Sequence, residues 1–223
     1  MIPLRSTERI YATAAVTASL IAVNTIVFLY QVTLTPSELN QLVSHWGIVP
    51  DRISQNIPSL FTSMFLHGGW MHLIGNMLYL WVFGRNIEDL IGSGRFLFFY
   101  LLCGLVAAIV HVIFNPYSRM PTIGASGAIA GVMGAYLIKF PRARIVTLVP
   151  IFFFFTTVEL PAAILLVFWF AIQFFSGFGS LGENDYSGGG TAWFAHIGGF
   201  IAGMLLIRVL PVRQRWRNWY ADE

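Results

Sequence analysis

The chain has 223 residues, 57% of them hydrophobic and only 10% charged, against about 25% charged in soluble domains. That composition excludes an ordinary water-soluble domain and points to a polytopic, multi-pass integral membrane protein. The formal charge of +3 gives no reason to invoke nucleic acid as a partner; the basic residues report topology instead.

Apolar runs of about 20 residues are candidate membrane spans, and six occur in chain order. The first, Tyr11–Val32, follows "MIPLRSTERI". It is too long for a signal-peptide core and no small-residue cleavage site follows it, so it reads as an anchor. The connection from Thr33 to Gly69 is long, and its own apolar residues ("HWGIVP", "IPSLFTSMFLHGG") predict packing on the membrane surface or the bundle. The second span, Trp70–Phe83, is short and is expected to extend at one end. The third, Arg95–Phe114, contains Cys103, the single cysteine, which cannot form an internal disulfide and reads as a packing residue.

The fourth span is Thr122–Ile138. After it, "IVTLVPIFFFFTT" (Ile145 to Thr157) is also apolar, so hydropathy does not fix where the fifth span begins. Pro161 suits the first turn of a helix, and Glu159 suits its positive end. The fifth span is therefore expected at Val158–Phe175, with Ile145–Thr157 as an interfacial or re-entrant loop. The glycine-rich, acidic "SGFGSLGENDYSGGGTAW" reads as a mobile connection and a candidate lid. The sixth span is Ala192–Leu210. The fold class expected is all-α, a bundle of six transmembrane helices forming one membrane domain over residues 1–223, with short tails at both ends.

With the N-terminus inside, eleven of the 13 basic residues fall on inner segments, and Arg52 and Arg119 alone lie outside. This positive-inside bias predicts cytoplasmic termini and a plasma (inner) membrane location.

Polar side chains within spans are costly and are functional candidates. The second, fourth and sixth spans run from outside to inside, which places His72 and Asn76, Ser126, and His196 together in the outer third of the membrane. His72 and Asn76 are four apart and share a helix face. His196, Gly199 and Gly203 share another, and Ser126, Ala130 and Gly134 form a small-residue stripe with Gly127 and Gly131 beside it. Small residues permit close helix approach, so the fourth and sixth helices are expected to meet with Ser126 in reach of His196. Asn24 and Gln173 read as helix-bridging, and Arg85 and Glu88 as a structural cluster at the inner end. His45 and His111 find no partner in the pattern, and His67 is the best candidate to support the four.

At "HGGWMHLIGNMLYLWVFG", "GASGAIAGVMGAY" and "AHIGGFIAG" the chain resembles the rhomboid intramembrane serine proteases. The resemblance implies a six-helix bundle with a water-filled cavity open to the outer side. It implies Ser126 as nucleophile, His196 as general base, and His72 and Asn76 as groups that help hold the oxyanion. It also implies transmembrane proteins as substrates, with membrane lipid as surroundings and no cofactor or metal. Some members carry an aromatic residue one turn after the serine, stacked on the histidine. Here that position is Ala130, which leaves open how His196 is held.

No span contains an aspartate to orient His196, so the arrangement reads as a dyad. No H-E-x-x-H occurs, which disfavours a metalloprotease, and no span pairs aspartates as an aspartyl protease would need. The alternative is a non-catalytic rhomboid-like protein that binds or sorts membrane helices; it needs the fold but not the dyad. A small transporter would need a polar path to the inner side, which the sequence does not offer.

Overall fold

The computed structural model describes residues 2–151, 154–179, 192–214 and 216. In chain order the elements are β1 (Ile2–Ser6), α1 (Ala15–Thr33), α2 (Pro36–Trp46), α3 (Ser59–Thr62), α4 (Trp70–Tyr79), α5 (Arg85–Ile91), α6 (Ser93–Phe114), α7 (Ser126–Lys139), β2 (Arg144–Ile151), β3 (Phe154–Pro161), α8 (Ala162–Gly179) and α9 (Trp193–Val209). Short 3₁₀ turns at Pro50–Gln55 and Ser63–Phe65 flank α3. The chain is mostly helical, and α1, α6 and α8 are long and apolar enough to cross a membrane, with α7 and α9 shorter and also apolar.

The second apolar segment extends at its C-terminal end. A π-helical turn, Leu80–Gly84, joins α4 to α5 with helical dihedrals throughout, so residues 70–91 run as one rod. At its far end, buried Glu88 accepts hydrogen bonds from the Val16 and Thr17 amides (2.9 and 2.7 Å) and from the Ser93 hydroxyl (2.7 Å). Glu88 thus satisfies the orphan donors at the start of α1, which has no side-chain cap of its own. Arg85 does not pair with it: its guanidinium stacks 4.1 Å over Trp81 and donates to the Trp81 carbonyl at 2.8 Å.

The expectation of an all-helical chain is corrected by a three-stranded antiparallel sheet, ordered β1-β2-β3. The segment read as a loop is a β-hairpin, in which Arg144 pairs with Pro161 and Ile151 with Phe154. Its β-branched and aromatic residues favour strands, and Ile145 and Thr147 are buried while their neighbours are less so, the period-two pattern of a half-buried strand. Pairing on both edges of β2 satisfies backbone groups that an apolar loop would leave bare. The ladder reaches the Ala162 amide, which donates to the Ala143 carbonyl at 2.8 Å. Pro161 is therefore the last strand residue, and α8 starts four residues later than the fifth span was placed.

α7 lies at the centre: every residue from Gly127 to Tyr136 is buried. α9 packs against it in parallel, and glycines set the spacing. A Cβ on Gly199 would stand 2.0 Å from the Gly127 carbonyl oxygen, and one on Gly203 would stand 1.8 Å from that of Gly131. The contact runs along Gly127 and Gly131 and continues at Gly134, where a Cβ would stand 2.2 Å from the Phe200 carbonyl oxygen. Cys103 is buried against Gly131, where a Cβ would meet it at 2.5 Å. In the connection after α1, a capping box between Thr35 and Glu38 starts α2, and the Thr35 bonds hold the Glu38 carboxyl below its usual range. None of the residues of α2 is buried, so it lies on the surface of the bundle.

Candidate active site

Ser126 is the first residue of α7, and the chain leading to it is tied down. Thr122 exchanges backbone hydrogen bonds with Ile48 (2.9 and 2.8 Å), and the Gly124 amide donates to Ser63. His111, unassigned from sequence, contacts the Thr122 hydroxyl through Nε2 at 2.9 Å. Gly124 has φ +129°, and a Cβ there would stand 2.7 Å from His72 Nε2, so the turn requires glycine on both counts.

Ser126 Oγ lies 2.8 Å from His196 Nε2. His196, in the first turn of α9, is buried. Its other ring nitrogen, Nδ1, lies 2.7 Å from Gln173 Oε1 on α8. Gln173, expected only to bridge helices, is therefore part of the constellation. Trp169, one turn earlier on α8, places its ring 5.7 Å from that of His196 at 37°. Together they answer what Ala130 left open: α8 holds the histidine from the side opposite the serine.

A cavity of about 670 Å³ joins these groups, lined by His72, Asn76, Ser126, Trp169 and His196, with Tyr79, Ile129 and Met133 among its apolar walls. His72 and Asn76 both face it, as their spacing required. His72 Nδ1 accepts from the Gly68 amide at 3.3 Å, which in the neutral ring puts the proton on Nε2. Asn76 is buried, and its Nδ2 has no hydrogen-bond partner among the described residues. Both side chains thus offer a donor to whatever occupies the cavity. Ser126 adds its own amide at the start of α7, where helix N–H groups lack intrahelical partners and Ala125 supplies no side-chain cap.

His67 stands apart from this set. It packs edge-on against His72, with ring centroids 5.1 Å apart, and Gln31 pins its backbone through two 3.0 Å bonds. Burial, assisted by the neighbouring His72, lowers its pKa from 6.5 to about 4, so it stays neutral at physiological pH. Among the described residues Asn24 makes no hydrogen bond to another helix; its Nδ2 donates to Leu20 of its own helix at 2.7 Å. Residues 180–191, which hold most of the candidate lid, lie outside the described residues. Among the described residues no three His, Cys, Asp or Glu side chains converge as metal ligands would.

Gln173 and Trp169 escaped the sequence reading because α8 is apolar on all sides, so nothing in its pattern says which side faces α9. In the fold, Ala162, Leu166, Gln173 and Gly177, the buried residues of α8, fall on one helical stripe, which the apolar pattern alone does not single out.

The family model for the rhomboid domain matches residues 54–213. Over 78 residues the chain is 47% identical to rhomboid protease GluP of Bacillus subtilis, covering 35% of this chain and 15% of that protein. RHOMBOID-like protein 6, mitochondrial, of Arabidopsis thaliana is 32% identical over 162 residues, 72% of this chain and 46% of the relative. Presenilin-associated rhomboid-like protein A, mitochondrial, of Danio rerio is 31% identical over 138 residues, 60% of this chain and 35% of the relative. The chain spans less than half the length of each of these relatives. It belongs to the rhomboid family.

Proposed function

We propose that this chain is an intramembrane serine protease that hydrolyses peptide bonds in or near the transmembrane segments of other membrane proteins. The observation that carries the reading is the 2.8 Å contact between Ser126 Oγ and His196 Nε2 at the wall of the cavity. That distance lies within the range a nucleophile and its base require. His196, neutral, takes the hydroxyl proton at Nε2 as Oγ attacks the scissile carbonyl carbon. The oxyanion that forms is met by His72 Nε2–H, Asn76 Nδ2–H and the Ser126 amide, donors already aimed at the cavity. The imidazolium then gives its proton to the leaving amine, and water, activated in turn by His196, hydrolyses the acyl ester.

The six-span topology with cytoplasmic termini fits this chemistry. α7 has 14 residues and is about 21 Å long, shorter than the roughly 30 Å hydrocarbon core. Its first residue therefore lies below the outer surface, where non-helical backbone is tolerated because it lines a cavity. Water reaches a serine at that depth through the cavity. The alternative, a rhomboid-like protein that binds or sorts membrane helices without cutting them, has no need of a hydrogen-bonded serine and histidine beside His72 and Asn76.

The test is cleavage of a model transmembrane substrate by purified protein in detergent. Ser126→Ala is predicted to abolish cleavage with an unchanged melting temperature. Substantial cleavage by that variant would exclude Ser126 as nucleophile.

A further inference from the structure

Gln173 is the one polar side chain among the buried residues of α8, and its Oε1 lies 2.7 Å from His196 Nδ1. An amide oxygen only accepts, so Nδ1 must donate. A neutral imidazole holding its proton at Nδ1 has its lone pair at Nε2, and that atom lies 2.8 Å from Ser126 Oγ. Trp169, four residues earlier on the same face, packs its ring beside the imidazole. One helix thus limits both the rotation and the tautomer of His196.

We infer that Gln173 is a positioning residue for the hydrolytic reaction, its amide oxygen fixing the His196 tautomer that leaves Nε2 free to take the Ser126 proton. This rests on the proteolytic reading of the site and makes the dyad a three-membered relay with an uncharged third member. The chemistry favours an amide here. A carboxylate would orient the ring equally well, but an unpaired buried charge is costly, and α8 brings no cation to offset it. The titratable groups around His196 are His72 on α4 and His111 on α6, with Tyr79 across the cavity. None of them touches Nδ1, so the tautomer depends on Gln173.

The experiment compares wild type, Gln173→Met and Gln173→Glu in kcat, KM, melting temperature and the pH profile of kcat/KM on a model transmembrane substrate. Methionine keeps the length and removes the acceptor; glutamate keeps the acceptor. Gln173→Met should lose roughly 10- to 100-fold in kcat, the scale of a buried donor left unpaired, with KM within about two-fold of wild type. Gln173→Glu should recover most of that loss. It should also move the acid limb of the profile to higher pH, because an adjacent anion favours the imidazolium and the neutral base is then lost sooner on acidification.

A purely structural Gln173 would give the opposite: a lowered melting temperature in Gln173→Met with kcat unchanged in the folded fraction, and no advantage in kcat of Gln173→Glu over Gln173→Met. That result would overturn the inference. If Gln173→Met does not fold, Gln173→Leu takes its place in the comparison of kcat, KM and melting temperature. Wild type that fails to cleave would overturn the proteolytic reading itself, whereas active wild type with an indifferent Gln173 would remove only this inference.

Discussion

Asn76 and His72 sit one turn apart on α4 and face the same cavity, yet their hydrogen bonding differs. His72 has an internal partner in the Gly68 amide, while Asn76 Nδ2 has none among the described residues. A buried amide donor without a partner is costly, and a developing oxyanion is the occupant that would use it. Removing one oxyanion donor costs about 2.7–4 kcal/mol, or roughly 100- to 1,000-fold in kcat. Asn76→Ala is therefore predicted to lower kcat by that order, with KM and melting temperature nearly unchanged. A normal kcat with a lowered melting temperature would make Asn76 a packing residue. His72→Ala should lower kcat as well but also disturb the 67–72 turn, because its ring packs on His67 and over Gly124. That Ser126, His196, His72 and Asn76 line one cavity was legible in the sequence, because each is a polar exception in an apolar span and common depth groups them. Gln173 was just as exceptional, but its role depends on which way α8 turns, which only packing against α9 decides.

At the scale of elements, the α7–α9 contact was readable because glycine pays a helix penalty that only close approach explains. The contact runs along Gly127, Gly131 and Gly134 on α7, which meet Gly199, Gly203 and the Phe200 carbonyl on α9, while Ser126 reaches His196 from the start of α7. Gly199→Ala is predicted to be strongly destabilising, since its Cβ would meet backbone at 2.0 Å. Overpacking of well-packed sites costs about 1–3 kcal/mol, sometimes more, and here the strain also displaces His196, one turn away. Gly94→Ala is the control: a Cβ there meets nothing within 4 Å, and helical glycine replaced by alanine is predicted to be neutral or stabilising by roughly 0.5–1 kcal/mol. Equal melting temperatures for the two variants would refute the close-packing account. The β2–β3 hairpin was the element the sequence concealed. Its apolar run looks the same as a span or loop by hydropathy, and its partner β1 lies more than a hundred residues away in the chain. Strand pairing at that separation leaves no local signature beyond the alternation at Ile145 and Thr147.

For the whole molecule, the two ends of the bundle have different work. The sheet, the Glu88 cap on α1 and the C-terminal end of α7 gather at one end. The cavity, Ser126 and His196 lie at the other, where α7 and α9 begin. The mostly helical character and the parallel arrangement of α7 and α9 followed from apolar runs and basic-residue asymmetry, whereas the sheet did not. The exact start of α8 did not, because a proline after an apolar strand and one before a helix look alike in sequence. The proposed chemistry rests on Ser126 being a nucleophile activated by His196. Its most direct measurement is the rate and location of covalent labelling by a serine-reactive fluorophosphonate, mapped by mass spectrometry, in wild type and His196→Ala. A single adduct on Ser126 is expected in the wild type, with labelling slowed by at least about 100-fold in His196→Ala, the scale of general-base assistance. An unlabelled Ser126 in folded wild-type protein, or labelling indifferent to His196, would contradict it.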